Sequence, residues 1–353
     1  MINTEYKHDY ENIIQKAYRI VHNLFYKCIK DKKRAYPLYA SYRHRKKLVK
    51  DSKNVIQYMS QKPSYNAGFG HGIDIWRNGI INSEMFHLRY AYMPMVSSEW
   101  EDSLGFSENE TEVGSLKLKG YRQILLPYYD PNEKWSVDLI REIIKSYKGE
   151  KIIFLNEMEQ QSKKDHFMIG ADYMRRKFWE SSKRRNDRLL YNKGEISVAV
   201  HIRRGDVSEG IKKGNEKLKK RWLDEDYYIS LMGKILGFGS TDNIRFYIFS
   251  EGNKEDFSKI NMFNGDVEFC LDMSPIDSFI HMCRADLLIV GLSSFSYDPG
   301  LINKSLKIAS DRFWNPYPDN GEWIIADKFG MIEKDKEDIL KNYLTEIAEG
   351  KKY

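Results

Sequence analysis

Apolar and polar residues alternate along this chain with two periods, and the period changes repeatedly. In "YENIIQKAYRIVHNLFYKCIK" the apolar positions Ile13, Ile14, Ala17, Ile20, Val21 and Leu24 recur at helical spacing and predict one buried helix face. "SYNAGFGHGIDIWRNGIINSEMFHLRYAYMP" reads as a glycine-rich loop (Gly68, Gly70, Gly72), a helix carrying Ile73, Trp76 and Ile80, and a strand in "FHLRYAYM". "YRQILLPYY" and "KIIFLNE" predict strands flanking the helical "WSVDLIREIIKSY". The charged "DYMRRKFWESSKRRNDRLLYNKG" predicts a long surface helix or connector ending at Gly194.

Beyond residue 190 the rhythm is clearer. "ISVAVHI", "NIRFYIFSEG", "DLLIVGLSS" and "SLKIASD" predict strands, with helices in "DEDYYISLMGKILG" and "SPIDSFIHMCRA" and a loop leading into a short helix at "FSYDPGLIN". Such alternation implies an α/β fold with a parallel sheet wrapped on both faces. The organisation expected is an α/β domain over residues 1–190 with a basic helical start, a second α/β domain over 191–330, and a closing helix over 331–353, "KEDILKNYLTEIAEG". The aromatic, turn-rich "DRFWNPYPDNGEW" reads as a packed loop.

Composition refines this. A length of 353 residues exceeds what one hydrophobic core usually organises, which favours two domains, and 41% hydrophobic content fits a folded protein. The 57 basic and 51 acidic residues leave a net charge of only +6, so anionic ligands are favoured weakly. The run Arg43, Arg45, Lys46, Lys47, Lys50 reads as a solvated helix face, and a nucleic-acid patch is the sharper alternative. No stretch approaches a membrane span and the start lacks a signal-peptide pattern, so a cytoplasmic protein is expected. Cys28, Cys270 and Cys283 show no C-x-x-C spacing and read as packing residues.

The candidate chemistry sits where strands end. "HIRRGDV" places His201, Arg203, Arg204 and Asp206 at the end of one strand; "FSEG" places Glu251 at another; "GLSSFS" places Ser293, Ser294 and Phe295 at a third. In parallel sheets, ligands lie beyond the carboxyl ends of the strands, so these three ends converge on one site. Arginine offers a fixed, permanently charged fork of donors to phosphate oxygens, and serine hydroxyls with helix-start N–H groups suit a second phosphate. A diphosphate fits. The glycines at 68, 70 and 72, with His71 between them, allow close backbone approach to a ligand or form a plain turn. They are not a G-x-G-x-x-G fingerprint, because positions 73 and 75 are isoleucine. The acidic "DED" at 224–226 opens a helix, where the dipole favours carboxylates, so no metal ligands are assigned. His281 lies inside an apolar helix and reads as structural.

"HIRRGDV", followed by "IDSFIHMCRADLLIVGLSSFS", resembles the donor-site motifs of the fucosyltransferase superfamily, which contains α-1,2-, α-1,6- and protein O-fucosyltransferases. "GFGHGIDIWRNGI" and "EWEDSLGF" are similar to its amino-terminal glycine loop and the segment behind it. The resemblance implies a GT-B fold, two Rossmann-like domains facing across a cleft, with an acceptor-side first domain and GDP-L-fucose held mainly by the second. It implies that Arg203 binds the donor β-phosphate and stabilises the departing diphosphate, that Asp277 receives the guanine edge, and that Ser294 with Ser293 holds phosphate oxygens. His201 and Asp206 shape the Arg203 loop, with Arg204, Glu251 and Phe295 completing the donor set. Gly68, Gly70 and His71 form the acceptor or glycine-loop side.

The implied reaction inverts the anomeric centre, uses no cofactor or metal, and moves L-fucose to a glycan hydroxyl. Glu209 is the candidate base, though it stands closer to Asp206 than the loop glutamate of the α-1,6 branch; Asp74 and Glu84 are further candidates. The closing helix is expected to pack back on the first domain. The alternatives are a transferase of another GDP-sugar and a non-catalytic nucleotide- or RNA-binding protein, the latter suggested by the basic run and 14% aromatic content. With the transferase reading, no nucleic-acid partner is expected.

Overall fold

The computed structural model describes residues 28–30, 32–46, 55–64, 67–157, 164–239, 243–271 and 273–350. The amphipathic stretch around Ile13–Leu24 and the lysines at 47 and 50 lie outside them. Contacts divide the chain into two units, one of Met1–Gly68 and Gly72–Lys177, the other of Phe69–His71 and Phe178–Tyr353.

The first unit runs α1 (Ala35–His44), β1 (Tyr58–Gln61), α2 (Phe69–Met85), β2 (Arg89–Tyr90), α3 (Ser98–Leu104), α4 (Val113–Leu118), β3 (Arg122–Leu125), α5 (Lys134–Lys145), β4 (Ile152–Asn156) and α6 (Lys164–Glu180). Its four strands form a parallel sheet in the order β2-β1-β4-β3. Every residue of β4 is buried, as a strand covered on both faces requires. Its side chains alternate between two cores. Ile152 and Phe154 join Met59 and the apolar face of α5 (Val137, Ile140, Ile143, Ile144), whereas Ile153 and Leu155 join Tyr58, Ala91, Val113 and Leu116. Two residues of the basic run are matched by acids here: Arg45 pairs with Glu142 at 3.5 Å and Lys46 with Glu150.

The second unit continues with β5 (Ile196–His201), α7 (Asp206–Lys212), α8 (Glu216–Lys219), α9 (Glu225–Phe238), β6 (Ile244–Phe249), α10 (Ser258–Asn261), β7 (Asp266–Cys270), α11 (Pro275–Arg284), β8 (Leu287–Val290), α12 (Ser294–Ile302), β9 (Leu306–Ser310), β10 (Trp323–Ala326) and α13 (Lys334–Ala348). The sheet order is β10-β9-β8-β5-β6-β7, all parallel. The chain starts in the middle at β5, builds outward through β6 and β7, then returns to β5's other side with β8 and builds outward again. This is the doubly wound Rossmann order, and its direction reverses between β5 and β8. Two α/β units on wholly parallel sheets bear out the expected fold class. Among the described residues no helix is long and apolar enough to cross a membrane.

Several details differ from the expectations. The units divide between Lys177 and Phe178, ahead of residue 190, because the connector is tied to the second unit: Trp179 Nε1 donates to the Ile302 carbonyl at 2.9 Å and Leu190 N to His281 Nε2 at 3.0 Å. Helix α6 ends at Glu180 and does not reach Gly194; the Ser181 hydroxyl accepts from Lys183 N and starts a short 3-10 turn over Ser182–Asn186. Helix α13 belongs to the second unit, where Lys234 pairs with Glu337 at 2.5 Å and the Tyr343 hydroxyl donates to the Asp286 carbonyl at 2.6 Å. Strands β1, β7 and β10 were not anticipated.

Lys307, on central strand β9, has no solvent exposure; its ammonium donates to the Asn303 carbonyl at 3.0 Å and pairs with Glu322 at 2.7 Å. Lys307→Ala removes a buried ammonium and leaves the partly exposed Glu322 without its cation, so it is expected to lower unfolding free energy by about 2 kcal/mol. Urea denaturation checks this, and a loss below about 1 kcal/mol contradicts a buried ion pair of that weight.

Candidate active site at the switch point

Strands β5 and β8 lie side by side at the point where strand order reverses, and the residues just beyond their carboxyl ends meet. After His201 the chain leaves β5 through Ile202, whose N–H still bonds the Phe249 carbonyl of β6 at 3.0 Å. Arg203 then turns its side chain across the end of the sheet. One guanidinium nitrogen donates to the Ser293 hydroxyl at 2.9 Å and the other to Asp206 at 2.8 Å. Its Nε–H is buried and meets no acceptor among the described residues.

Ser293 caps α12, its hydroxyl accepting from Phe295 N at 3.2 Å as well as from Arg203. Ser294 opens the helix. A permanent cation and the positive end of a helix dipole therefore share one hydroxyl, an arrangement suited to oxygen anions.

The loop holding Arg203 is fixed from three sides. Gly205 has φ +54°, and a Cβ there would lie 1.6 Å from the Glu251 carboxylate, so only glycine lets the chain pass Glu251 at the end of β6. The Ser250 hydroxyl donates to the Ile202 carbonyl at 2.6 Å. Arg204, only 6% exposed, turns away from Arg203's side chain: it donates to the Arg203 carbonyl at 3.0 Å and the Leu223 carbonyl at 3.3 Å, with its guanidinium 3.7 Å from the Trp222 ring centre. It acts as a brace whose charge is satisfied by carbonyls and an aromatic face. Asp206 begins α7, so Glu209 lies on a helix and not on the loop expected; one turn beyond Asp206, it is well exposed and 3.7 Å from Lys213.

His201 is buried, with Nδ1 2.8 Å from the Ser296 hydroxyl and its ring 5.3 Å from that of Phe295. Burial, reinforced by the charges of Arg203 and Arg204, pulls its pKa down to about 3. It is a neutral spacer at working pH. Gly291 makes room for it, since a Cβ there would sit 2.7 Å from the His201 carbonyl oxygen.

Asp277 stands in the first turn of α11, exposed, with one carboxylate oxygen accepting from the Ser274 hydroxyl at 2.7 Å and its N–H donating back to Ser274. In the same helix Leu190 N donates to His281 Nε2, which leaves His281 Nδ1 to carry the proton and donate to the Asp277 carbonyl at 2.7 Å. Both ring nitrogens of His281 are thus structural.

The glycine segment is helical sooner than expected: Gly68 is the cap, and Gly70, His71 and Gly72 already lie in α2. Phe69 packs on Phe279 and Phe295 at ring separations of 5.0 and 6.1 Å, and a Cβ on Gly70 would be 3.0 Å from Phe295 N. Gly70 thus allows this first turn to lie against the start of α12. His71 is exposed. The remaining base candidates belong to the first unit, Asp74 paired with Arg77 and Glu84 exposed on α2.

The acidic trio serves the start of α9: Asp224 accepts from Trp222 Nε1, Glu225 from Ile260 N, and Asp226 pairs with Lys259. Among the described residues no group of three or more His, Cys, Asp or Glu side chains is arranged to hold a metal ion.

Sequence reasoning found Arg203, Asp206 and Ser293, which the structure joins, but missed Ser296, Gly205 and Gly291. The R-R-G-D order after a strand was a signal for a glycine-only turn. Ser296 carried no signal that separated it from its neighbouring serines.

Residues 144–314, which include every strand end just described, match the family model of glycosyl transferase family 11. Over that segment the chain is similar to the glycosyl transferases of family 11. No curated protein matches it. Among solved structures, POFUT1 in complex with GDP-fucose aligns at 11% identity over 79% of this chain and 100% of its own, with a TM-score of 0.45. Fucosyltransferase NodZ from Bradyrhizobium aligns at 9% identity over 71% of this chain and 94% of its own, at 0.39. A glycosyl transferase family 9 protein from Veillonella parvula aligns at 11% over 85% and 98%, also at 0.39. The matched segment begins in the first unit, and its larger part, beyond Lys177, carries the convergent strand ends of the second.

The depressed pKa of His201 makes stability depend on pH. The unfolded state binds a proton near pH 6.5 and the folded state does not until about pH 3, so the contribution is complete above about pH 7 and is lost as pH falls between those values. The loss approaches about 1.4 kcal/mol per pH unit. Urea denaturation at pH 7.5 and 5.0 is expected to show this decline, and His201→Gln is expected to be less stable at pH 7.5 but to lose less on acidification. Equal losses in both proteins would place the titration elsewhere.

Proposed function

We propose that the chain transfers L-fucose from GDP-fucose to a glycan hydroxyl, with inversion and without a metal. The observation that carries this reading is the Arg203–Ser293 hydrogen bond, which sets a guanidinium beside the N-terminus of α12 at the sheet's switch point. The choice of fucose rests on the resemblance of "HIRRGDV" and "IDSFIHMCRADLLIVGLSSFS", together with the family 11 match.

In this reading the donor diphosphate lies across Ser293, Ser294 and the N–H of Phe295, with Arg203 on its β-phosphate. Asp277 accepts from the two guanine N–H groups. As the acceptor oxygen attacks the anomeric carbon, the bond to the β-phosphate oxygen breaks and its electron pair goes to the diphosphate, where Arg203 and the helix dipole stabilise the growing charge. Glu209, on the same face of α7 as Asp206, takes the hydroxyl proton. His201 stays neutral and holds the α12 turn through Ser296, and Arg204 fixes the backbone of Arg203.

The first unit is the acceptor side. A cytoplasmic site of action belongs to this proposal and is supported by free thiols at Cys28, Cys270 and Cys283. The RNA-binding reading is disfavoured, because Arg45 and Lys46 of its basic run are matched by Glu142 and Glu150.

Calorimetric titration with GDP, GDP-fucose, GDP-mannose and UDP, with and without divalent metal, tests the proposal. Guanine ligands are expected to bind selectively and without metal, about 10- to 100-fold more weakly in Arg203→Ala, since charge-assisted bonds are lost. Glu209→Gln is expected to keep GDP affinity and lose turnover by about 100-fold or more. Absence of guanine-nucleotide binding, or an Arg203→Ala protein that binds as well as wild type, overturns it; equal preference for GDP-mannose moves the assignment to another GDP-sugar.

A further inference from the structure

The first unit contains a pocket of its own. Gln61 at the carboxyl end of β1 and Tyr90 at that of β2 line it together with Ile75 and Trp76 of α2, Met93, Met95 and Val96 after β2, and Trp100 of α3; it opens to solvent. Its position follows the rule that ligands of parallel sheets lie beyond the carboxyl strand ends.

Two parts of the sequence that the donor site leaves unused build it. In "GFGHGIDIWRNG", Gly72 lets Trp100 approach, since a Cβ at position 72 would be 3.0 Å from the indole. In "EWEDSLGF", Glu101 accepts from the Tyr92 hydroxyl and from Met95 N, pinning the Met93–Val96 wall to α3. Trp76 is stacked on Phe106 with ring centres 4.4 Å apart, and its indole N–H is buried with no acceptor among the described residues.

The lining decides the ligand class. Indole, phenol, thioether and aliphatic groups dominate beside the Ser64 hydroxyl, and the Gln61 carbonyl oxygen already accepts from Asn156 at 3.0 Å. A bare pyranose buried here would leave its hydroxyls unmatched, which is unfavourable, whereas an alkyl or aryl group suits the lining and the adaptable methionines.

We infer that this pocket holds an apolar aglycone, so that the transferase acts on an amphiphilic glycoside whose hydrocarbon part docks on the first unit. The acceptor role rests on the transferase reading above; the pocket's apolar preference does not.

The test uses the full chain and alkyl β-glucosides from methyl to octyl, below micelle-forming concentrations, followed by calorimetry and tryptophan fluorescence. Affinity is expected to rise about fourfold per added methylene until the chain fills the space. Val96→Trp, which fills the pocket, is expected to weaken octyl glucoside binding at least tenfold. The alkyl series on wild type stands even where that variant does not fold. Methyl and octyl glucosides binding equally, or neither binding, overturns the inference, as does chain-length dependence that persists unchanged in a folded Val96→Trp protein. GDP titration of the same samples separates the two readings: no GDP binding counts against the transferase, while the alkyl series alone decides the pocket.

Discussion

The hydrogen bond from Arg203 to Ser293 is the contact that ties together the switch point of the second unit. It joins the end of the first strand of a doubly wound sheet to the start of the helix after the fourth, across the one place where neighbouring strands lead their connections to opposite sides. Everything nearby serves to keep those two backbones in register. Gly291 brings the end of β8 against His201, Ser296 ties the following turn to the same histidine, and Gly205 carries the chain past Glu251 into α7.

The local electrostatics divide two adjacent arginines between different tasks. Arg204 is buried, and its charge is answered by carbonyl oxygens and an aromatic face. Arg203 keeps a part-exposed guanidinium and only one carboxylate partner, itself half exposed. A neutral His201 beneath them avoids a third positive charge in the same confined space. The outcome is a focused cation beside a helix N-terminus, the form of charge stabilisation that asks for little rearrangement during reaction.

Much of this was legible in the sequence because β5 and β8 are central strands. Their continuous apolar runs end abruptly in polar residues, which marks both the strand and the place where it opens to ligand. Edge strands carry no such mark: β7, "DVEFC", mixes acids into its alternation because it has a neighbour on one side only, and β10 is embedded in an aromatic turn-rich segment. Strand β1 occupies four residues, too few to establish a period. The glycines at 70 and 72 misled in the opposite sense. Their freedom in φ suggested a loop, but the positions use the missing side chain to allow close approach by Phe295 and Trp100 inside a helix. Three-dimensional proximity of that kind leaves no local signature, and the same is true of the pairing between Ser296 and His201.

The order in which the second sheet is laid down has a consequence for biosynthesis. Arg203 and Ser293 are separated by 90 positions in the chain. During translation, β5, β6 and β7 can form a three-stranded parallel sheet while the arginine's serine partner is still unmade, and the flank of β5 that β8 will cover stays open until then. A nascent chain truncated between β7 and β8 therefore has a cation without its helix, and an unpaired central strand edge where β8 will lie. The partner of Arg203 arrives late and at once, with the emergence of a single turn of helix.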